Sequence, residues 1–169
     1  MQPNAVVVRA VDRLDADWAA VSGLLRDYHL QTEREKARHG VAEPGGSGAG
    51  LPARYQAEVD GPASVFEEAD VVVAEKDGRA VGMMVLQRSG RDIEVKRLWV
   101  APAGRRQGVA AALLAYAREH AERAGADGLR LSVWDWRADA LGLYRSQGFA
   151  IEPSWEARER LVCLRRPLP

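Results

Sequence analysis

At 169 residues and 47% hydrophobic content, the chain suits a single domain, residues 1–169, with a packed core of its own. Lysine plus arginine and aspartate plus glutamate both total 24, so the net charge is zero and no field of one sign draws in nucleic acid or an anionic membrane. A single cysteine, Cys163, excludes an intramolecular disulfide framework and a multi-cysteine metal site.

The N-terminal stretch meets acidic residues too early to hold a secretory segment, and no apolar run approaches the ~18 residues of a membrane span, so a cytoplasmic protein is expected. Ala5 to Val11 is short and β-branched and reads as a first strand, with Asp15 as the N-cap of a following helix. Trp18, Val21, Leu24, Leu25 and Tyr28 recur at spacings of three and four and make its buried face. Gln31 to His39 is dense in charge and reads as a second, more exposed helix ending at Gly40. The run EPGGSGAG, residues 43–50, supports neither helix nor strand and is expected to be a loop, and Leu51 to Val59 reads as another short helix.

After Asp70 the pattern changes to strands. VVVAE and AVGMMVLQR flank the turn Lys76-Asp77-Gly78-Arg79, a hairpin signal, and a turn at Ser89-Gly90 leads into a third strand, Asp92 to Val100. Ile93 and Val95 place apolar side chains on odd positions of that strand, whereas Leu98 and Val100 place them on even ones. A period of two cannot keep both pairs on one face, so a β-bulge is expected near Lys96-Arg97, with Glu94 and Trp99 sharing the opposite face.

A long helix is expected from Arg105 to Ala124, with Val109, Leu113, Tyr116, Ala117, His120 and Ala124 inward and Gly125 just past its end. It opens on Arg105, Arg106, Gln107, Gly108, Val109 and Ala110, so unpaired N–H groups and the positive end of the helix dipole meet beside basic residues. That is an anion site, with the glycine serving either close ligand approach or packing. No Gly-Lys-Ser/Thr follows and no G-x-G-x-x-G is present, which excludes a nucleotide P-loop and a dinucleotide fingerprint. Next come a central strand (LRLSVW), a helix carrying Ala140, Leu143 and Tyr144 that stops at Gly148, and two last strands at Phe149–Ile151 and Leu161–Leu164. His29, His39 and His120 have no metal-like spacing, His120 is expected to cap or pack its helix, and Cys163 is expected to be a buried small apolar residue. Trp134 and Trp136 belong either to a pocket or to the core.

Two segments, IEVKRLWVAPAGRRQGVAAALL and ALGLYRSQGF, resemble the GNAT superfamily of acyl-CoA-dependent N-acyltransferases. Together they span roughly Ile93 to Phe149. The resemblance implies an α/β (α+β) fold with a mixed, mostly antiparallel sheet of six to seven strands, flanked by helices and splayed between its central pair. It implies acetyl-CoA as co-substrate and no metal. The pyrophosphate would be held by backbone N–H groups of Arg105 to Ala110, pantetheine by the main chain of Leu98, Trp99 and Val100, and the leaving thiolate would be protonated by Tyr144. Where many members carry an asparagine that contacts pantetheine, this chain has Arg137.

The reaction so implied is direct attack of a primary amine on the thioester. Glu94 is the candidate acceptor of the amine's proton, directly or through water, with a structural or substrate-orienting carboxylate as the alternative role. The acceptor is expected to be a small-molecule amine, with a protein N-terminus or lysine as the alternative. A non-catalytic CoA-binding module is the reading from another class. Neither a nucleic-acid nor a membrane partner is expected, and the chain is expected to be a monomer or homodimer.

Overall fold

Asp77 and Gly78 take φ values of 51° and 74°, the two left-handed conformations that a two-residue hairpin turn requires. They join β2 (Asp70–Lys76) to β3 (Arg79–Ser89), and a second tight turn at Gly90, φ 59°, joins β3 to β4 (Asp92–Val100). The meander expected from the turn chemistry therefore forms. The computed structural model describes residues 5–14, 16–41 and 50–169.

β1 (Val7–Ala10) adds antiparallel to β2 at one edge. After β4, a 3-10 turn at Pro102–Gly104 leads to α4 (Val109–Arg123), which crosses over so that β5 (Gly128–Trp134) lies parallel to β4. A parallel neighbour needs such a crossover, because a tight turn cannot reverse the chain twice. Helix α5 (Ala138–Ser146) precedes β6 (Ala150–Glu152) and β7 (Leu161–Pro167), and the seven strands run in the order β1-β2-β3-β4-β5-β7-β6.

Period-two alternation divides the core between two faces. Val72, Ala74, Met84, Ile93 and Val95 turn toward α4, while Val71, Val73, Met83, Val85 and Trp99 turn toward α1 (Trp18–Arg38). The short helices α2 (Ala53–Asp60) and α3 (Pro62–Val65) pack beside α1.

Three local expectations change. Gln31 to Arg38 is not a separate exposed helix but continues α1, because Val21, Leu25, His29, Thr32 and Lys36 form one buried stripe at spacings of three and four. Polar residues on that stripe disguised it. Helix α4 starts at Val109, not Arg105, because Arg106 (φ 60°) and Gly108 (φ 78°) have left-handed backbones that a helix cannot contain. Its buried stripe is Val109, Leu113, Leu114, Ala117 and Ala121; Tyr116 and His120 are half-buried and Ala124 is exposed. The N-cap role expected of Asp15 and the loop expected at 43–49 lie outside the described residues.

The bulge forms where expected. Met83 pairs with Trp99 and Val85 with Lys96, so Met84 of β3 faces both Arg97 and Leu98. Gly125, φ 65°, ends α4 as anticipated, with the Ala126 N–H returning to the Ala121 carbonyl at 2.9 Å.

Leu113 is fully buried where α4 meets the sheet. Leu113→Ala should destabilise the fold by about 2–5 kcal/mol, read as a lower urea midpoint at unchanged slope.

Candidate active site

The parallel pair β4–β5 is joined only at Asp92–Gly128, Ile93–Leu129 and Glu94–Arg130. Beyond Glu94 the strands part, and the bulge lies just past the point of separation. Arg97 occupies the bulge with φ 54°, a left-handed backbone that costs a non-glycine residue about 1–2 kcal/mol. Its side chain is held by Glu58 of α2 through two bonds, Nε to Oε2 at 2.9 Å and Nη2 to Oε1 at 2.6 Å. His29 of α1 meets the same Glu58 Oε2 at 2.6 Å and stacks on Tyr55 with ring centroids 4.3 Å apart.

Burial raises the Glu58 carboxyl's affinity for a proton, but hydrogen bonds from His29 and Arg97 outweigh it and hold the group down at about 2. Burial lowers His29 despite the carboxylate beside it, so the ring is neutral. Facing an ionised carboxylate, its Nε2 carries the hydrogen and donates.

A cavity of about 490 Å³ fills the fork between β4 and β5 on the α1 side. Glu94 lines it from β4, Trp134 from β5 and Tyr144 from α5. Among the described residues the Glu94 side chain makes neither a hydrogen bond nor an ion pair, its main chain being paired in the sheet. Tyr144 is buried at 7% exposure, and burial, with Tyr28 nearby, pushes its hydroxyl well above the ordinary tyrosine value despite the opposing pull of Arg137. It therefore stays protonated and able to donate a hydrogen bond.

At the far end of β4 lies the mouth of α4. Gly108 is the N-cap, and a Cβ built there meets nothing within 4 Å, so the glycine serves its backbone conformation and not packing. The first N–H groups of α4 have no partner inside the helix. The side chains depart from a simple basic helix start. Arg105 folds back to the Val100 carbonyl at 3.0 Å and over the Trp99 ring at 4.9 Å, and Gln107 donates to the Ala103 carbonyl at 2.8 Å and accepts from Lys76. Leu98 and Val100 are half-buried against the α4-side core, with Trp99 on the opposite face, as the bulge requires. Past Glu94, the edge of β4 that faces β5 has no strand partner. Arg137 caps α5 and is tied to α1, donating to Glu35 at 2.6 Å and Thr32 at 2.8 Å.

The sequence matches the family model of the acetyltransferase (GNAT) domain over residues 67–151, just over half of the chain. The chain belongs to the GNAT acetyltransferase family. An acetyltransferase of this family from Staphylococcus aureus Mu50 shares its fold, with TM-score 0.69 and 15% identity over 98% of this chain and 100% of that one. The PaiA N-acetyltransferase from Thermoplasma acidophilum, solved in complex with coenzyme A, has TM-score 0.68 and 15% identity over 97% of this chain and 99% of that one. Nourseothricin acetyltransferase is 30% identical over 60% of this chain and 66% of its own, with TM-score 0.54. No curated protein matches the chain.

This GNAT domain brings Glu94 and Tyr144 to one cavity and places Arg105 to Ala110 at the separate helix mouth. Sequence reasoning missed the group Glu58, His29 and Arg97. The available signal was spacing: Tyr55 and Glu58 stand three apart on α2, and His29 stands four after Leu25 on the apolar stripe of α1. Of the other histidines, His39 stacks on Trp136 with centroids 4.3 Å apart and His120 lies beside Tyr116 and 3.4 Å from Asp70.

Removing one partner of a buried pair strands the other, so Glu58→Gln should cost about 3–5 kcal/mol in denaturant melts at neutral pH. Because the fold depresses the Glu58 value to about 2 from an ordinary 4.5, its stabilisation is complete above 4.5 and is lost as pH falls toward 2. The difference between wild type and Glu58→Gln should therefore shrink across that window.

Proposed function

We propose that the protein transfers an acetyl group from acetyl-CoA to a primary amine of a small molecule, without a covalent enzyme intermediate. The observation that carries this reading is the β4–β5 fork: one cavity joins Glu94 to Tyr144, and the β4 strand that borders it leads to the glycine-capped mouth of α4.

The residues present fit acyl-CoA. The Gly108 backbone leaves open space where a side chain would stand, which suits a pyrophosphate on the N–H groups of residues 106–110. The unpaired edge of β4 from Val95 to Val100 suits pantetheine as an added strand, with Leu98, Trp99 and Val100 contributing main chain. Arg137 is already bound to Glu35, so its share in that contact is small. When bound, acetyl-CoA supplies the thioester electrophile.

An amine with an ordinary value near 10.4 must lose a proton to attack, and Glu94 is the carboxylate in the cavity without a partner among the described residues, so it takes that role directly or through water. Tyr144, kept protonated by burial, offers its hydroxyl to the leaving sulfur. Holding the two reactants in the fork supplies most of the acceleration, up to roughly 7–11 kcal/mol. A cavity of about 490 Å³ is of a size that suits a small acceptor. The buried, unpaired Cys163 suits the reducing cytoplasm.

Acetyl-CoA at 100-fold its Kd should add ~2.7 kcal/mol to stability, seen as a raised Tm. Thiol release across an amine panel should show turnover that falls by ~10²-fold or more in Tyr144→Phe and in Glu94→Gln. Gly108→Val, forcing a β-branched residue to a positive φ, should raise the KM for acetyl-CoA. CoA binding without turnover on any amine would leave a CoA-binding module, and no Tm shift at all would refute both readings.

A further inference from the structure

Resting on the transferase reading above, we infer that the acceptor is an amine that also carries an oxyanion, an amino acid being the simplest case, held with its amine toward Glu94 and its oxyanion toward Arg130.

The charge of the cavity points this way. Seven cationic side chains line it against three carboxylates, Glu58, Glu94 and Glu156. Most of the cations are committed. Arg97 is bound by Glu58 at 2.6 Å, Arg137 by Glu35 at 2.6 Å, Lys36 by Glu33 at 2.8 Å and Arg158 by Glu156 at 3.3 Å. Arg54 lies over the Tyr55 ring and donates to its hydroxyl at 2.7 Å. Lys96 and Arg130 differ, since neither forms an ion pair among the described residues. Lys96 meets only the Gln87 amide oxygen, at 3.3 Å. Arg130 lies over Trp155, 4.2 Å from the ring centroid, its buried Nε has no acceptor, and Asp92 acts on it only through space. The ring contact holds the guanidinium without using its N–H groups, which make no hydrogen bond among the described residues, an arrangement suited to a planar carboxylate.

Position completes the case. Glu94 and Arg130 are register partners on adjacent parallel strands, at the last pair before the fork opens. Their neighbours Ile93 and Leu129 both enter the α4-side core, so Glu94 and Arg130 both face the cavity. The strands stand about 4.8 Å apart, yet the two opposite charges do not pair. A ligand with an ammonium and a carboxylate a few bonds apart would satisfy both at once. A polyamine would answer Glu94 but meet the excess of positive charge around it, which like-charge repulsion disfavours.

The test compares matched amines at saturating acetyl-CoA: an α-amino acid, its amide, its decarboxylated amine, the corresponding aminoalkylphosphonate, and a polyamine. The acids should exceed their neutral counterparts in kcat/KM by about 10- to 100-fold, the worth of a charge-assisted hydrogen bond. The carboxylate and phosphonate arms show which oxyanion fits. Arg130→Gln should bring the acid-to-amide ratio toward one through KM rather than kcat, and Arg130→Lys should recover part of it. A CoA-induced rise in Tm reports that each variant is folded. Equal or better use of the amide, the decarboxylated amine or the polyamine would overturn the inference while leaving the transferase standing. An unchanged ratio in Arg130→Gln would do the same. Turnover of no amine at all would remove the transferase reading and this inference together.

Discussion

The bent strand β4 depends on the contact between Arg97 and Glu58. Arg97 sits on a bulge with a left-handed backbone, and two hydrogen bonds at 2.6 and 2.9 Å fasten it to a carboxylate from α2. Desolvating two charges offsets most of what their attraction returns, so such a pair is a poor source of stability. It is a good source of position. Glu58 also binds His29, so a single carboxylate fixes α1, α2 and the bend of β4 relative to one another. Loosening it would release the residue that keeps β4 curved away from β5, and the fork is where the cavity lies.

Main-chain groups and side chains divide the site between them. The mouth of α4 and the unpaired edge of β4 offer N–H and C=O groups, whose recognition requires of the sequence little more than a glycine at 108. The cavity, by contrast, is lined by charged and aromatic side chains from α1, α2, β4, β5, α5 and the segment before β7. In the proposed reading, donor recognition is therefore written in backbone conformation and acceptor recognition in side-chain chemistry, and the two meet along β4.

This division governs how much could be read from residues alone. The bulge was legible because the apolar parity switches between Val95 and Leu98, and the turns were legible because Asp77-Gly78 and Gly125 answer conformations that few other residues accept. The start of α4 was not, because the left-handed Arg106 has no chemical mark of its own. The side-chain contacts of Arg105 were not legible either, since nothing local shows that Trp99 and the Val100 carbonyl capture it. The charged stretch of α1 looked exposed because Thr32 and Lys36 carry polarity into a polar cavity, where pattern rules assume an apolar core.

By itself the sequence determined the hairpin turns, the bend in β4 and the glycine before α4, since each follows from periodicity or from glycine within one continuous stretch, and two motif segments carried the resemblance to the family. Tertiary structure alone decided the pairing of Glu58 with His29 and Arg97, and the placing of Glu94 beside an unpaired Arg130. Those contacts join residues 29, 36 and 39 positions apart in the chain, and no local pattern records which distant charge a folded strand will face.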